Sequence, residues 1–236
     1  MRLSDFEIFY LNLARRPERR QAIERQLARL GLLDQAHYVE AVDGQALPQT
    51  PQLQERIRTF KTMARRPERI LGRIGCLESH LAILRRAVRL KLDRILIIED
   101  DCEFSPQLTS KWRFTPPQDA QLIYLGGLFW RQQPEAKPQT GKWVGINRQH
   151  LKLATTICYG IIGRENIKQI YDTVRQARPS AIDLLYINHI QNQGRCYVVN
   201  PVVCCQSDQY VSDVSNYGET TPTKPYRNSY TYLQNT

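Results

Sequence analysis

What this chain lacks narrows its function first. No apolar run is long enough to cross a bilayer: the strongest are Ile95 to Ile98 and Tyr197 to Cys205, and Asn200 and Pro201 break the second. Glu7 and Asn12 interrupt the apolar stretch near the N-terminus, so no secretory leader is read there and the expected location is the cytoplasm. No G-x-G-x-x-G follows the first strand-like run, which removes the main support for a nicotinamide-binding reading. The six cysteines form no C-x-x-C pair and have no neighbouring histidine at zinc spacing. Cys158, Cys196, Cys204 and Cys205 lie in apolar, strand-like surroundings and read as reduced, buried thiols. No internal repeat is visible.

Acidic residues are the other shortage. Lys and Arg number 33 against 23 Asp and Glu, a formal charge of +10. The basic residues cluster at Arg15, Arg16, Arg19 and Arg20, at Arg65, Arg66, Arg69 and Arg73, and at Arg85, Arg86, Arg89 and Lys91. Such a surface attracts nucleic acid, nucleotide diphosphates, anionic lipids or acidic glycans, and charge alone does not choose among them. No basic motif interleaved with aromatics marks a known nucleic-acid reader, so specific nucleic-acid binding is not expected. The 42% apolar and 24% charged content is that of a globular protein, and 236 residues suffice for one α/β domain.

Ile8 to Leu13 reads as a buried strand, followed by a helix that Pro17 opens and Gly31 stops. His37 to Val42 reads as a second strand. Gln45 to Arg73, with Pro48, Pro51 and Pro67, reads as a loop holding one short helix. Leu77, Leu81, Leu84 and Val88 line one helical face ahead of a strand at Arg94 to Ile98. Further strands are expected at Gln121 to Leu125, Ala154 to Ile162 and Arg195 to Val203, and a helix from Arg164 to Arg175. Lys137 to His150 reads as a polar excursion or hairpin, and Asp183 as a helix N-cap. Strands alternating with helices predict an α/β fold with a central, mainly parallel sheet flanked by helices. One domain is expected over 1–206, with a polar tail over 207–236 packed on it or partly disordered.

The sharpest chemical feature is Arg94-Ile-Leu-Ile-Ile-Glu-Asp-Asp101, an aliphatic strand running into three carboxylates. In open α/β sheets ligands sit beyond the carboxyl ends of strands. Strand alternation would turn Glu99 and Asp101 to one side and Asp100 to the other. Crowded carboxylates repel one another unless a cation neutralises them, and oxygen ligands of this kind suit Mg²⁺ or Mn²⁺. A divalent ion there would neutralise a leaving diphosphate. The plainer alternative is a strand end exposing acids to water.

The chain resembles glycosyltransferase family 25, which includes lipooligosaccharide β-galactosyltransferases and procollagen galactosyltransferases. Matching pieces occur in the family's order: Tyr10-Leu-Asn-Leu-Ala-Arg-Arg-Pro-Glu-Arg-Arg20, Ala41-Val-Asp-Gly44, Gly75-Cys-Leu-Glu-Ser-His80 and Ile97-Ile-Glu-Asp-Asp101. Tyr159-Gly-Ile-Ile-Gly-Arg-Glu165, Ala181-Ile-Asp-Leu184 and Asn200-Pro to Gln206 follow. The stretch Ala154 to Cys158 departs from the glycine-rich segment expected there. The resemblance implies a GT-A-like nucleotide-sugar-binding fold, a UDP-sugar donor with galactose the expected sugar, and inversion at the anomeric carbon. It implies Mn²⁺ or Mg²⁺ held by Glu99 and Asp101, with Asp213 from the tail as a further ligand. Asn12, Arg16, Arg19, Ser79, Glu99, Asp100 and Gln206 would then serve the donor side.

An inverting transfer needs a base for the acceptor hydroxyl, and Asp183 in the acceptor-side motif is the choice, with His80 the other candidate catalytic group. His80 shares a helical face with Leu77, Leu81 and Leu84, so a packed core histidine is the rival reading. The expected acceptor is a hydroxyl on a glycan or peptide, with anionic character matching the basic surface. The same surface fits peripheral contact with the inner face of an anionic membrane. Lipopolysaccharide biosynthesis is the implied setting. The alternative class is a basic nucleic-acid or anionic-surface binding module without catalysis, and a third is a degenerate transferase kept as a scaffold.

Overall fold

Alternation along aliphatic strands builds two cores, one on each face of a seven-stranded sheet. A computed structural model describes residues 1–60, 67–130, 142–146, 151–207 and 209–210 of the 236. In chain order the elements are β1 (Glu7–Asn12), α1 (Pro17–Arg29), β2 (Ala36–Glu40), α2 (Pro51–Thr59), α3 (Pro67–Arg89) and β3 (Arg94–Glu99). Then come β4 (Cys102–Phe104), β5 (Leu122–Tyr124), β6 (Leu128–Trp130), β7 (Lys142–Ile146), β8 (Lys152–Ala154) and β9 (Cys158–Ile162). The chain continues with α4 (Arg164–Gln176), α5 (Ile182–Leu185), β10 (Cys196–Asn200) and β11 (Cys204–Gln206).

Phe9 and Leu11 of β1, Ile95 and Ile97 of β3, and Tyr159 and Ile161 of β9 face a core shared with α3 and α4. Their chain neighbours Ile8 and Tyr10, Leu96 and Ile98, and Cys158 face the other core, with Ile23 and Leu27 of α1. This is the period-two pattern of a strand buried on both faces. Each fully buried aliphatic side chain of β3 contributes about 1.5–3 kcal/mol.

The sheet order is β2-β1-β3-β9-β5-β10-β7. Pairings β2–β1, β1–β3 and β5–β10 are parallel, while β9 and β7 run against their neighbours. Five strands therefore point one way and two the other, so the expected α/β sheet with flanking helices is present with two reversed strands. Two small ladders complete the described strands, β4 with β11 and β6 with β8.

Several local expectations are corrected. The segment 45–73 is not a loop with one helix. Thr50 Oγ1 accepts from the Leu53 amide at 3.1 Å to start α2, and α3 already begins at Pro67. Residues 67–73 are helical because Ile70 and Leu71 pack on the core, a tertiary contact that local composition does not announce. Lys142–Ile146, read as part of a polar excursion, is the edge strand paired with β10, with residues 137–141 and 147–150 outside the described residues. Asp183 is not the N-cap: Ala181 holds that position and Asp183 lies in the first turn of α5. Of the tail, Ser207, Gln209 and Tyr210 are described, while Asp208 and Asp213 lie outside the described residues. Among the described residues, no helix is long and apolar enough to cross a membrane.

Candidate active site

The carboxyl ends of β1, β2 and β3 lie side by side, because these parallel strands pair Leu11 with Glu99 and Asn12 with Glu40. A cleft opens there, lined by Asn12, Arg15, Arg19, the Ala41–Gln45 turn, Cys76, Ser79, His80 and all three acids Glu99, Asp100 and Asp101. Strand alternation does not divide the triplet. β3 ends at Glu99, and Asp100 and Asp101 belong to a turn, so all three reach the same cleft.

Each acid has its own partners. Glu99 Oε1 accepts from Thr156 Oγ1 at 2.5 Å and lies 3.2 Å from His80 Nε2. Asp100 Oδ2 accepts from Asn12 Nδ2 at 2.7 Å, and its Oδ1 lies 3.4 Å from Arg19 Nη1 in a partly buried ion pair. Asp101 Oδ2 accepts from Gln206 Nε2 at 2.8 Å, and the Asp101 carbonyl accepts from the Ser207 amide at 2.7 Å. Asp101 Oδ1 is buried with no hydrogen-bond partner among the described residues.

Burial and the neighbouring Glu99 and Asp100 charges push the Asp101 carboxyl up to about 7. Burial also raises Asp100, against the pull of Arg19 and Asn12. Burial would raise Glu99 too, yet the His80 and Thr156 contacts outweigh it and hold that carboxyl below its ordinary range. The cleft thus sets two strained acids beside one ionised acid.

His80 is 0% exposed. Its Nδ1 lies 2.8 Å from Tyr159 Oη, which accepts from Tyr186 Oη at 3.1 Å. This buried chain of Tyr186, Tyr159 and His80 ends on Glu99, so His80 stands behind the carboxylate at the floor of the cleft. Tyr159, Tyr186 and Thr156 were not singled out from the sequence. Tyr159 sits inside one of the quoted motifs, which was the available signal.

Ser79 has a local task. Its Oγ donates to the Gly75 carbonyl at 2.7 Å and accepts from the Val42 amide at 2.8 Å, fastening the Ala41–Gly44 turn to α3. Gly75 permits that approach: a Cβ there would lie 2.3 Å from the Val42 carbonyl oxygen. Arg16 flanks α1 as its N-cap, and its carbonyl accepts from Asn12 Nδ2 at 2.9 Å. Arg15 and Arg19 rather than Arg16 line the cleft, with Arg15 Nε donating to Asp43 Oδ2 at 2.6 Å. Arg19 also lies over the ring of Tyr210, 5.1 Å from its centroid.

Asp183 does not line this cleft. Its Oδ1 accepts from the Leu184 amide at 2.8 Å. Burial raises its carboxyl, while that amide and the Arg73 charge lower it and the Glu99 charge adds to the rise. It therefore lies within electrostatic reach of the triplet. Cys76 and His80, four apart on α3, meet Glu99 with ligand atoms within 4.8 Å of one another, which corrects the expectation that no histidine stands at metal spacing from a cysteine. All six cysteines are free, and the four expected to be buried thiols, Cys158, Cys196, Cys204 and Cys205, are buried.

The family model described as glycosyltransferase family 25 (LPS biosynthesis protein) matches residues 6–140, more than half of the chain, including the triplet. The chain belongs to glycosyltransferase family 25. A glycosyltransferase 25 family member of Drosophila pseudoobscura pseudoobscura is 41% identical over 103 residues, 42% of this chain and 16% of that protein. Procollagen galactosyltransferase 2 of Homo sapiens is 33% identical over 130 residues, 51% of this chain and 20% of the relative. Inactive glycosyltransferase 25 family member 3 of Homo sapiens is 32% identical over 137 residues, 51% of this chain and 21% of the relative. The chain thus covers roughly a fifth of the length of these longer relatives.

Proposed function

We propose that this family 25 protein transfers a sugar, galactose in the first instance, from a UDP-sugar to a hydroxyl of a glycan or peptide, with inversion and with a divalent ion. Membership of the family alone leaves activity to the site, since relatives are named inactive or probable inactive. The observation that carries the reading is Asp101 Oδ1, a buried carboxylate oxygen without a hydrogen-bond partner among the described residues, beside two further acids. A carboxylate oxygen in that position suits a cation.

Glu99 and Asp101 fit as oxygen ligands for Mn²⁺ or Mg²⁺, with Gln206 fixing the orientation of Asp101. Such an ion supplies Lewis-acid neutralisation of the diphosphate leaving group. Asp100 is committed to Asn12 and Arg19, so it positions the arginine on the donor side of the cleft. The guanidinium shape of Arg15 and Arg19 suits diphosphate oxygens. Asp183, outside the lining of that cleft but within reach of the Glu99 charge, is the acceptor-side base in this reading: it takes the hydroxyl proton as the acceptor oxygen attacks the anomeric carbon and the bond to diphosphate breaks. Burial raises its carboxyl, which makes it a stronger base than a solvated aspartate. The basic surface fits an anionic acceptor or an anionic membrane face.

The direct test mixes the full chain with UDP-galactose and a panel of other nucleotide sugars, with and without Mn²⁺. Release of UDP or donor binding that needs Mn²⁺ and vanishes in Asp101→Ala is expected. The proposal fails if no nucleotide sugar binds, or if the variant behaves as the parent does. Tight, salt-dependent nucleic-acid binding that survives Asp101→Ala would favour the binding-module reading.

A further inference from the structure

Three cysteines that the transfer chemistry does not use meet in the interior. Cys102 comes from β4, Cys158 from β9 and Cys204 from β11, each at most 1% exposed, with their sulfurs all within 4.8 Å of one another. A soft metal ion bound at about 2.3 Å by three sulfurs holds them roughly 4 Å apart if planar and slightly closer if pyramidal. Sulfur separations of at most 4.8 Å leave room for either geometry. No further His, Cys, Asp or Glu among the described residues joins the group. A closed zinc site takes four ligands, whereas thiolates also select copper(I), an ion content with three.

We propose that Cys102, Cys158 and Cys204 form a buried three-sulfur site for a soft monovalent metal ion of the copper(I) class. Thiolate sulfurs are the ligands, so entry of the ion displaces thiol protons to solvent and its charge offsets part of the thiolate charge. The placement gives such an ion a structural consequence. Cys102 follows Asp101, and Gln206, the partner of Asp101, pairs across from Cys102 in the β4–β11 ladder. Cys158 lies between Ile157, whose carbonyl accepts from the Glu99 amide at 2.8 Å, and Tyr159, which holds His80. An ion at the three sulfurs ties the small ladder to the central sheet behind the carboxylates.

The test loads the reduced full chain with copper(I) alone, against a competing chromophoric chelator, and records X-ray absorption at the copper edge. One ion per chain with a shell of three sulfurs is expected, retained in Cys76→Ser and lost in Cys158→Ser. Should Cys158→Ser fail to fold by circular dichroism, the wild-type shell decides alone. A shell containing nitrogen or oxygen, or loss of the ion in Cys76→Ser, assigns the metal to the Cys76, His80 and Glu99 group and overturns the proposal. Failure to hold copper(I) stoichiometrically against the chelator overturns it as well.

Discussion

Asp101 makes the metal-free protein less stable as pH rises, and replacing it with asparagine removes that contribution. In the folded chain this carboxyl keeps its proton up to about 7, against 3.8 for an ordinary aspartate. Below pH 4 both states hold the proton and the site adds no penalty. Between pH 4 and 7 the unfolded chain has lost the proton and the folded chain still holds it, so stability falls across that window. Above pH 7 the penalty is complete, on the order of 4 kcal/mol. Asp101→Asn keeps an oxygen for the Gln206 amide and removes the charge. Urea and thermal melts at pH 5 and pH 8, in chelator, should show the variant more stable at pH 8. At about 2–4 °C per kcal/mol for a domain of this size, the gain approaches roughly 10 °C. Saturating Mn²⁺ should raise the parent by about 3 kcal/mol at a hundredfold excess over its dissociation constant and leave the variant unmoved. The variant should have no transferase activity. A variant that melts below the parent at pH 8, or that Mn²⁺ stabilises equally, refutes the reasoning.

Asp183→Asn should lower kcat by about 10²–10⁴ with donor binding intact, measured by transfer rate and by UDP-sugar titration. His80→Leu removes the hydrogen bond that does most to hold Glu99 ionised, so the acid limb of the pH–rate profile should move to higher pH; an unmoved limb would mean that His80 only packs. Gly75→Ala gains helix propensity of about 1 kcal/mol, but its Cβ would press on the Val42 carbonyl oxygen at 2.3 Å. Both partners there are backbone, so a net loss of about 1–3 kcal/mol is expected in urea melts, with weaker donor binding as the Ala41–Gly44 turn shifts.

Hydrophobic pattern determined much of this protein from sequence alone. The strands at 8–13 and 94–98, the helices after Pro17 and at 164–175, and the reduced state of the buried thiols all follow from local periodicity and composition. So does the presence of an acid triplet at a strand end. Tertiary structure decided the rest, because those features depend on partners distant in the chain. Where β3 ends set the direction of Asp100 and Asp101, which alternation alone misplaced. Packing of Ile70 and Leu71 on the core extended α3 back through a segment whose own composition reads as loop. Asn12, His80, Thr156 and Gln206 reach the three acids from four separate segments, and no local pattern encodes those contacts. Desolvation likewise belongs to the fold: the same Asp101 carboxyl that water would leave ionised at pH 5 keeps its proton once Glu99, Asp100 and the sheet enclose it.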